Sequence, residues 1–228
     1  MKLHYNTIRI MIGGVYLKKM ILNKRVIMFL VCFVIFMWIA LFLKLERNLW
    51  IDQMFLAVHK NTFLYNVFGF ISWFGSKWGI ISISIGSIIG LWWLKRNYYA
   101  ILLIFIGVLG GDFVNKELKS YIGRERPLPI EEGFSFPSGH AMVGLILYGF
   151  LSYVIYLEKQ SFNWLSYIII FLIVLVGISR VILGVHYVSD VIGGFAIGGI
   201  ILIGLITIYD LLITKTASNL QKDKKITF

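Results

Sequence analysis

Charged residues are scarce in this chain of 228 residues: Asp, Glu, Lys and Arg make up only 14% of it. A soluble domain carries about a quarter. Apolar residues make up 59% of the sequence, and they occur in blocks as long as a membrane is thick. The low charge and the long apolar blocks exclude a water-soluble globule and favour an integral membrane protein.

Cysteine is almost absent too, because Cys32 is the only one. A single cysteine cannot form an internal disulfide, so the chain is not a disulfide scaffold. A cleavable signal peptide is not expected either. The apolar run 26–43 is longer than an ordinary signal-peptide core, and no small-x-small cleavage site follows it. We therefore expect this run to be retained as a membrane span.

A membrane-crossing helix needs about 20 mostly apolar residues. Six runs meet this requirement, and a shorter apolar stretch, 63–74, predicts an interfacial or re-entrant helix. The fold class we predict is all-α: a polytopic bundle of six transmembrane helices plus that short helix, forming a single domain over residues 1–228. The six predicted spans are 26–43, 78–94, 98–114, 140–156, 164–183 and 188–213.

Basic residues outnumber acidic ones by 22 to 11, which gives a net charge of +11. They cluster between apolar blocks, and no nucleic-acid-binding fold or aromatic stacking platform accompanies them, so a nucleic-acid partner is not expected. The positive-inside rule makes the basic segment 1–25 and the polar, frayed tail 214–228 cytoplasmic. This orientation in the cell membrane, with both chain ends on the cytoplasmic side, places three loops on the outer face: 44–77, 115–139 and 184–187.

Small residues four apart occur in two of the predicted spans, as the pairs Gly86/Gly90 and Gly194/Gly198. Such pairs let neighbouring helices approach closely. We expect both pairs to be helix-packing sites.

Three polar clusters border the apolar runs at the predicted outer face: 119–127, 137–140 and 179–190. Taken singly, each has an ordinary explanation. The basic residues of the first cluster could bind lipid headgroups. Pro137 and Ser138 could simply start a helix, with the serine side chain capping its first amides.

Taken together, the clusters predict an anion site. A helix start exposes free amides and a partial positive charge, and Gly139 lets a ligand come close to the backbone. His186 and Asp190 are four residues apart, so on a helix they share one face and can hydrogen-bond. Arg180 at membrane depth is costly and indicates function. Phosphate suits such a combination of Arg, Lys and helix amides, and a carboxylate-backed histidine is a candidate nucleophile.

A divalent metal ion is the alternative that two histidines and an aspartate raise. The surrounding Lys and Arg oppose it, because cations repel cations, and Glu131 with Glu132 is the only acidic pair on that side. We therefore expect no metal and no other cofactor.

The three clusters, in this order, resemble the signature of the type-2 phosphatidic acid phosphatase superfamily. The pattern is Lys-x6-Arg-Pro, then Pro-Ser-Gly-His, then Ser-Arg-x5-His-x3-Asp. No motif position departs from it, and the six-span layout extends the resemblance over nearly the whole chain. The matching residues are Lys119, Arg126, Pro127, Pro137, Ser138, Gly139, His140, Ser179, Arg180, His186 and Asp190.

The resemblance implies a metal-independent phosphatase that acts on lipid phosphates through a phosphohistidine. His186 would be the nucleophile, Asp190 would orient it, and His140 would protonate the leaving oxygen. It favours phosphatidylglycerophosphate as the substrate, with undecaprenyl pyrophosphate as the alternative. A different class, a non-hydrolytic transporter that binds lipid or anion, stays open. The residues that would hold the phosphate are Lys119, Arg126, Ser138, Gly139 and Arg180.

Overall fold

The computed structural model describes residues 14–45, 49–54, 62–95, 97–128, 131–158 and 163–226. Within these ranges the regular secondary structure is entirely α-helical. The helices are α1 (Gly14–Lys44), α2 (Trp50–Met54), α3 (Thr62–Trp73), α4 (Lys77–Lys95), α5 (Tyr98–Ile122), α6 (Gly139–Glu158), α7 (Asn163–Ile182) and α8 (Val188–Ile226).

Five helices are each long and apolar enough to cross a membrane. A sixth crossing is formed if α3 and α4, which are bent by 44° at the break between them, are one broken span. The predicted fold class, a polytopic all-α membrane protein, is confirmed. The five single spans are Ile21–Lys44, Tyr98–Ile122, Gly139–Leu157, Trp164–Ile182 and Val188–Thr216.

Two helices extend further than the sequence analysis predicts. Helix α5 does not end at residue 114 but continues to Ile122, so Lys119 lies on a helix rather than in a loop. Helix α8 continues to Ile226, so the expectation of a frayed tail is wrong for residues 214–226. No Gly or Pro interrupts this stretch, and adding residues to an existing helix is far easier than nucleating a new one.

Side-chain caps and a left-handed glycine set the boundaries of α4 and α5. The Asn97 side chain accepts a hydrogen bond from the Ala100 amide at 3.1 Å, which caps the start of α5. Ser76 accepts from the Gly79 amide at 3.1 Å and caps α4 in the same way. Gly123, with φ of 71°, ends α5 in the left-handed conformation that glycine adopts without strain.

Helices α6 and α8 form the centre of the bundle, and glycines of α8 let the two backbones approach closely. A Cβ atom at Gly194 would lie 2.7 Å from the Ser138 carbonyl oxygen, and one at Gly198 would lie 2.8 Å from that of Met142. The predicted packing role is therefore confirmed for this pair. It is wrong for Gly86 and Gly90, where an added Cβ would meet no described atom within 4 Å.

The functional clusters meet because consecutive spans run in opposite directions. The ends of α5 and α7 and the starts of α6 and α8 lie at the same end of the bundle. Two hydrogen bonds join them there: Asn115 of α5 donates to the Pro137 carbonyl at 3.1 Å, and the Ser138 amide donates to the Asp190 carbonyl at 3.0 Å.

Candidate active site

His186 and Asp190 form the centre of the site, where α8 begins. The imidazole Nδ1 lies 3.3 Å from Asp190 Oδ2, and both side chains are almost wholly buried. The same carboxylate oxygen accepts the Tyr187 amide at 2.9 Å. Asp190 is thus fixed by its own helix start, and it in turn fixes the ring of His186.

Arg126 determines which ring nitrogen of His186 carries the proton. Its Nη1 atom lies 3.4 Å from His186 Nε2, and an arginine can only donate. Nε2 is therefore the unprotonated nitrogen, and Nδ1–H is the one that donates to Asp190. This tautomer leaves the lone pair of Nε2 pointing away from the carboxylate, as a nucleophile requires.

Burial keeps the imidazole neutral. Loss of solvation is the main reason that the pKa of His186 falls to about 4, and the charges of Arg180 and Lys119 lower it further. The hydrogen bond to Asp190 and its charge act in the opposite direction and do not outweigh the burial. His186 is consequently uncharged at neutral pH.

Two buried polar atoms of the predicted phosphate-binding set have no hydrogen-bond partner among the described residues. They are Ser138 Oγ, in a residue that is 0% exposed, and Nε of Arg180. Only one other described side-chain atom, Ser84 Oγ, is in this condition. Buried donors are nearly always paired, so these two atoms, at the start of α6 and the end of α7, indicate a ligand position at this end of the bundle.

The unpartnered hydroxyl argues against the ordinary explanation of Ser138. In that explanation its side chain caps the first amides of α6, whereas the alternative prediction makes it a phosphate-binding residue. It does precede the helix, but its hydroxyl makes no such bond. Its backbone is held instead, by the Asp190 carbonyl. The free amides at the helix start remain available together with the hydroxyl.

The other predicted residues lie around this position. The ammonium group of Lys119, near the end of α5, donates to the Phe134 carbonyl at 2.7 Å. Gly139 is the first residue of α6, where a Cβ atom would lie 3.0 Å from Asn115 Oδ1. His140 packs against the turn between α3 and α4, since a Cβ at Gly75 would lie 2.9 Å from its ring. The structure thus brings all three clusters to one end of the bundle.

Sequence reasoning missed the network that supports Asp190. Arg124 donates to Asp190 Oδ1 at 2.6 Å and to Asp52 Oδ2 at 2.8 Å, and its guanidinium covers the ring of Tyr187. Asp52, on α2, also accepts from the amide and the hydroxyl of Ser189 at 2.9 and 2.7 Å. Arg124 belongs to the basic cluster, but no local spacing could have linked Asp52 to a residue more than a hundred positions away.

Two further residues engage the arginines. Ser72, at the end of α3, accepts from Arg180 Nη1 at 2.6 Å. Glu131 lies between the two arginines: one carboxylate oxygen is 3.0 Å from Arg126 Nη1, and the other accepts from Arg180 Nη2. Neither residue stands at a motif position, so only their positions in space reveal them.

Metal binding has little support from the side chains present. Within the described residues, His, Cys, Asp and Glu do not gather in groups of three or more that could hold an ion. The groups that surround His186 are mainly cations, Lys119, Arg126 and Arg180, and these suit an anion.

A comparison with known families agrees with this arrangement. The sequence model described as PAP2 superfamily matches residues 98–213, which is about half of the chain and contains every predicted site residue. The chain belongs to the PAP2 superfamily. The resemblance seen in the three motifs is thereby confirmed. The first four helices lie outside the matched segment. Two of their residues, Asp52 and Ser72, nevertheless contact the site.

Two comparisons give individual proteins to which this PAP2 chain is similar. It is 42% identical to phosphatidylglycerophosphatase B of Bacillus subtilis (strain 168) over 120 residues, which are 48% of this chain and 57% of that protein. The match thus spans little more than half the length of the curated relative. The fold is similar to the crystal structure of a transmembrane PAP2 type phosphatidylglycerolphosphate phosphatase from Bacillus subtilis. That match has a TM-score of 0.68 at 27% identity and covers 81% of this chain and 95% of the other.

Proposed function

We propose that this PAP2 protein is a membrane lipid phosphatase that hydrolyses a phosphate headgroup through a phosphohistidine, without a metal ion. The observation that carries the proposal is the pairing of a neutral, oriented nucleophile with unpartnered phosphate-binding donors. His186 presents its Nε2 lone pair beside Arg126, and Ser138 Oγ and Arg180 Nε are buried without partners nearby.

The phosphate would be held by five groups around His186. Arg126 and Arg180 offer forked donors, Lys119 a point charge, and Ser138 and the Gly139 amide the donors of a helix start. All of these also stabilise the charge that develops on the transferring phosphoryl group. Because the set is already cationic, no added metal ion is needed to neutralise the substrate.

The reaction would proceed in two displacements. Nε2 of His186 attacks phosphorus while the bond to the lipid oxygen breaks, and protonated His140 gives its proton to that oxygen. The imidazolium that forms is stabilised by Asp190. Water, deprotonated by His140, then attacks phosphorus; the P–N bond breaks, and inorganic phosphate leaves with His186 restored.

Phosphatidylglycerophosphate is the substrate that we favour. Both similar Bacillus subtilis proteins carry that activity in their names, and the crystal structure among them matches most of this chain. Undecaprenyl pyrophosphate remains the alternative, because the site residues recognise phosphate oxygens and none of them reads the rest of a headgroup.

The site would face the outside of the cell membrane. Lys and Arg are concentrated in segments 1–25 and 214–228, which favours a cytoplasmic location for both chain ends. The site lies at the opposite end of the spans, where α6 and α8 begin. A lipid could then bind its phosphate there while its acyl chains remain in the bilayer. Cysteine-accessibility labelling of Tyr121→Cys in intact cells tests this orientation, and protection from a membrane-impermeant reagent would contradict it.

The decisive experiment is phosphate release by the purified protein in detergent with excess chelator. We expect turnover of phosphatidylglycerophosphate that is faster, by kcat/KM, than turnover of undecaprenyl pyrophosphate. The His186→Ala variant is expected to fold and to lose at least about a thousandfold in kcat. During turnover of a substrate with a radiolabelled phosphate, we expect acid-labile, base-stable labelled phosphate on the enzyme only when His186 is present.

Three outcomes would contradict parts of the proposal. Activity that disappears in chelator and returns with one divalent ion would point to a metallohydrolase. A preference for undecaprenyl pyrophosphate would change the substrate and leave the mechanism. Uptake of phosphate into vesicles, without any lipid cleavage, would favour the non-hydrolytic transporter.

A further inference from the structure

We propose that Glu131 is a specificity-determining residue: its carboxylate holds the anion position between Arg126 and Arg180 and yields it only to ligands that carry two or more negative charges. The inference rests on the proposed function, because it takes that position as the one a substrate phosphate must enter. It is carried by the contacts of a single side chain that stands at no motif position.

The carboxylate of Glu131 imitates two oxygens of a phosphate. One oxygen lies 3.0 Å from Arg126 Nη1, and the other accepts from Arg180 Nη2. The arginine side chains are only 8% and 4% exposed. One carboxylate therefore bridges the two guanidinium groups that the family motif assigns to phosphate.

A phosphate cannot take up the forked donors of both arginines while Glu131 remains. In Arg126, Nε donates to the Gly133 carbonyl at 3.0 Å and Nη2 lies 3.4 Å from the Glu132 carbonyl. Its Nη1 donates to the Val185 carbonyl at 2.9 Å and is the nitrogen that Glu131 contacts. In Arg180, Nη1 is bound to Ser72, and only Nε lacks a partner. Entry of a phosphate that contacts both side chains therefore requires displacement of Glu131.

Glu131 is placed so that it can be displaced. Its side chain is 39% exposed, and it belongs to the irregular segment between α5 and α6 rather than to a helix. Burial raises the pKa of this carboxyl, but the charges of Arg180 and Arg126 outweigh the burial and hold the pKa below its usual value. The group that a substrate meets is thus an ionised competitor at neutral pH.

The competition favours ligands by charge. A phosphodiester carries one negative charge, so its exchange for the carboxylate gains no net attraction to the arginines. A phosphomonoester carries a charge of about −1.5 to −2 at pH 7, so it is attracted to the arginines more strongly than the carboxylate it replaces. Phosphodiester lipids, including the phosphatidylglycerol that hydrolysis of phosphatidylglycerophosphate would leave, are thereby kept out of the site.

The test compares Glu131→Gln with Glu132→Gln, which removes the same charge one residue away. The Glu132 carbonyl faces Arg126, but no ion pair joins its side chain to either arginine. Isothermal titration of the purified proteins in detergent, with chelator present, uses two probes: inorganic phosphate and the monoanionic diester dimethyl phosphate. We expect Glu131→Gln to bind phosphate about tenfold more tightly than wild type, and to bind dimethyl phosphate measurably.

Glu132→Gln is expected to resemble wild type with both probes. A second variant, Glu131→Asp, keeps the charge but is too short to reach both arginines, so its affinity for phosphate should lie between wild type and Glu131→Gln. If neither Glu131 variant binds phosphate more tightly than Glu132→Gln, the inference is wrong.

Binding and turnover separate this inference from the proposed function. If Glu131→Gln binds phosphate more tightly but the protein cleaves no lipid phosphate, the proposed phosphatase function is wrong and the competition by Glu131 is supported. If the protein cleaves lipid phosphate but Glu131→Gln and Glu132→Gln bind phosphate with identical affinities, the phosphatase function is supported and the competition by Glu131 is wrong. In a protein where both hold, the KM of Glu131→Gln for the lipid is expected to fall while kcat does not rise.

Discussion

Helix α8 carries an Arg–Asp cluster at each end of the bundle, and the two clusters are built alike. Near its start, Asp190 accepts from Arg124 at 2.6 Å; about 30 Å further along the helix, Asp210 accepts from Arg25 at 2.6 Å. A tyrosine accompanies each pair. The guanidinium of Arg124 covers the ring of Tyr187, whereas the hydroxyl of Tyr153 donates to Asp210.

The surroundings of the two clusters differ, and this difference separates function from packing. The side chains of Asp190 and Arg124 are 0% and 10% exposed, whereas those of Asp210 and Arg25 are 34% and 20% exposed. The first cluster adjoins a histidine and two unpartnered buried donors. No unpartnered buried atom of the described residues lies in the second. An Arg–Asp pair in a membrane helix thus indicates a site only when unsatisfied groups accompany it.

The largest expected contrast lies between Asp190→Asn and Asp210→Asn. An amide at position 190 keeps the shape but loses the charge that orients the tautomer of His186 and stabilises its positive form, so kcat should fall by about 10³- to 10⁴-fold. The amide at position 210 should leave kcat within about twofold, since half-exposed ion pairs contribute about 1 kcal/mol or less. Initial rates of both purified variants decide the matter, and equal losses would contradict the contrast.

A second contrast compares Arg124→Gln with Arg25→Gln in thermal unfolding. Loss of Arg124 leaves two buried carboxylates, those of Asp52 and Asp190, without their cation, which costs about 3–5 kcal/mol in a buried pair. Arg25→Gln should lower the unfolding temperature much less. Adding Asp52→Asn to Arg124→Gln should restore part of the loss, because one unpaired charge is then removed. A double variant less stable than Arg124→Gln alone would be evidence against this network.

The third contrast concerns the glycines that bring α8 close to α6. At Gly194, an added methyl group would press on the Ser138 carbonyl, so Gly194→Ala should cost about 1–3 kcal/mol and lower activity by moving the start of α6. At Gly86 an added Cβ meets no described atom within 4 Å, and alanine is the better helix former, so Gly86→Ala should stabilise by up to about 1 kcal/mol. Melting curves in detergent, together with rates, test both; a neutral Gly194→Ala would refute the close approach.

The smallest expected effect is the dependence of the site on pH. The pKa of His186 is lowered to about 4, so the proposed nucleophile stays neutral as the pH falls from 7 to 5 and is protonated only below that range. The acid limb of kcat/KM that belongs to His186 is therefore expected near pH 4 rather than near 6.5. Removal of a cation that lowers this pKa, through Lys119→Gln, should move that limb to higher pH. A wild-type limb near 6.5 would show that His186 is less buried than in this structure.

The sequence predicted the class of fold and the residues that the structure gathers at one end of the bundle. Low charge and long apolar runs require helices that satisfy their own backbone hydrogen bonds in lipid, so the spans follow from composition. The spacings of Lys119, His140 and His186 within their motifs identified the family, because each motif spans few residues and lies at one helix end.

The ends of the helices were predicted less well than their cores. Helix α5 extends beyond its apolar part to Ile122. The prediction ended too early because the last two turns of the helix are polar, and hydropathy does not recognise polar turns as helix. Gly86 and Gly194 have the same local pattern, yet only Gly194 faces another backbone. Which face of a helix packs against another helix depends on how the helices are arranged in the bundle. The local sequence pattern around a glycine does not show that arrangement.

The sequence by itself determined that this protein crosses the membrane several times and carries a histidine, arginine and lysine set suited to phosphate, because those properties depend on composition and on short spacings. The tertiary structure decided which residues join that set. Asp52 contacts Arg124 across 72 positions and Ser189 across 137, and the carboxylate of Glu131 lies between Arg126 and Arg180. Electrostatic contacts act over a few ångströms in space, and only folding decides which distant residues come that close.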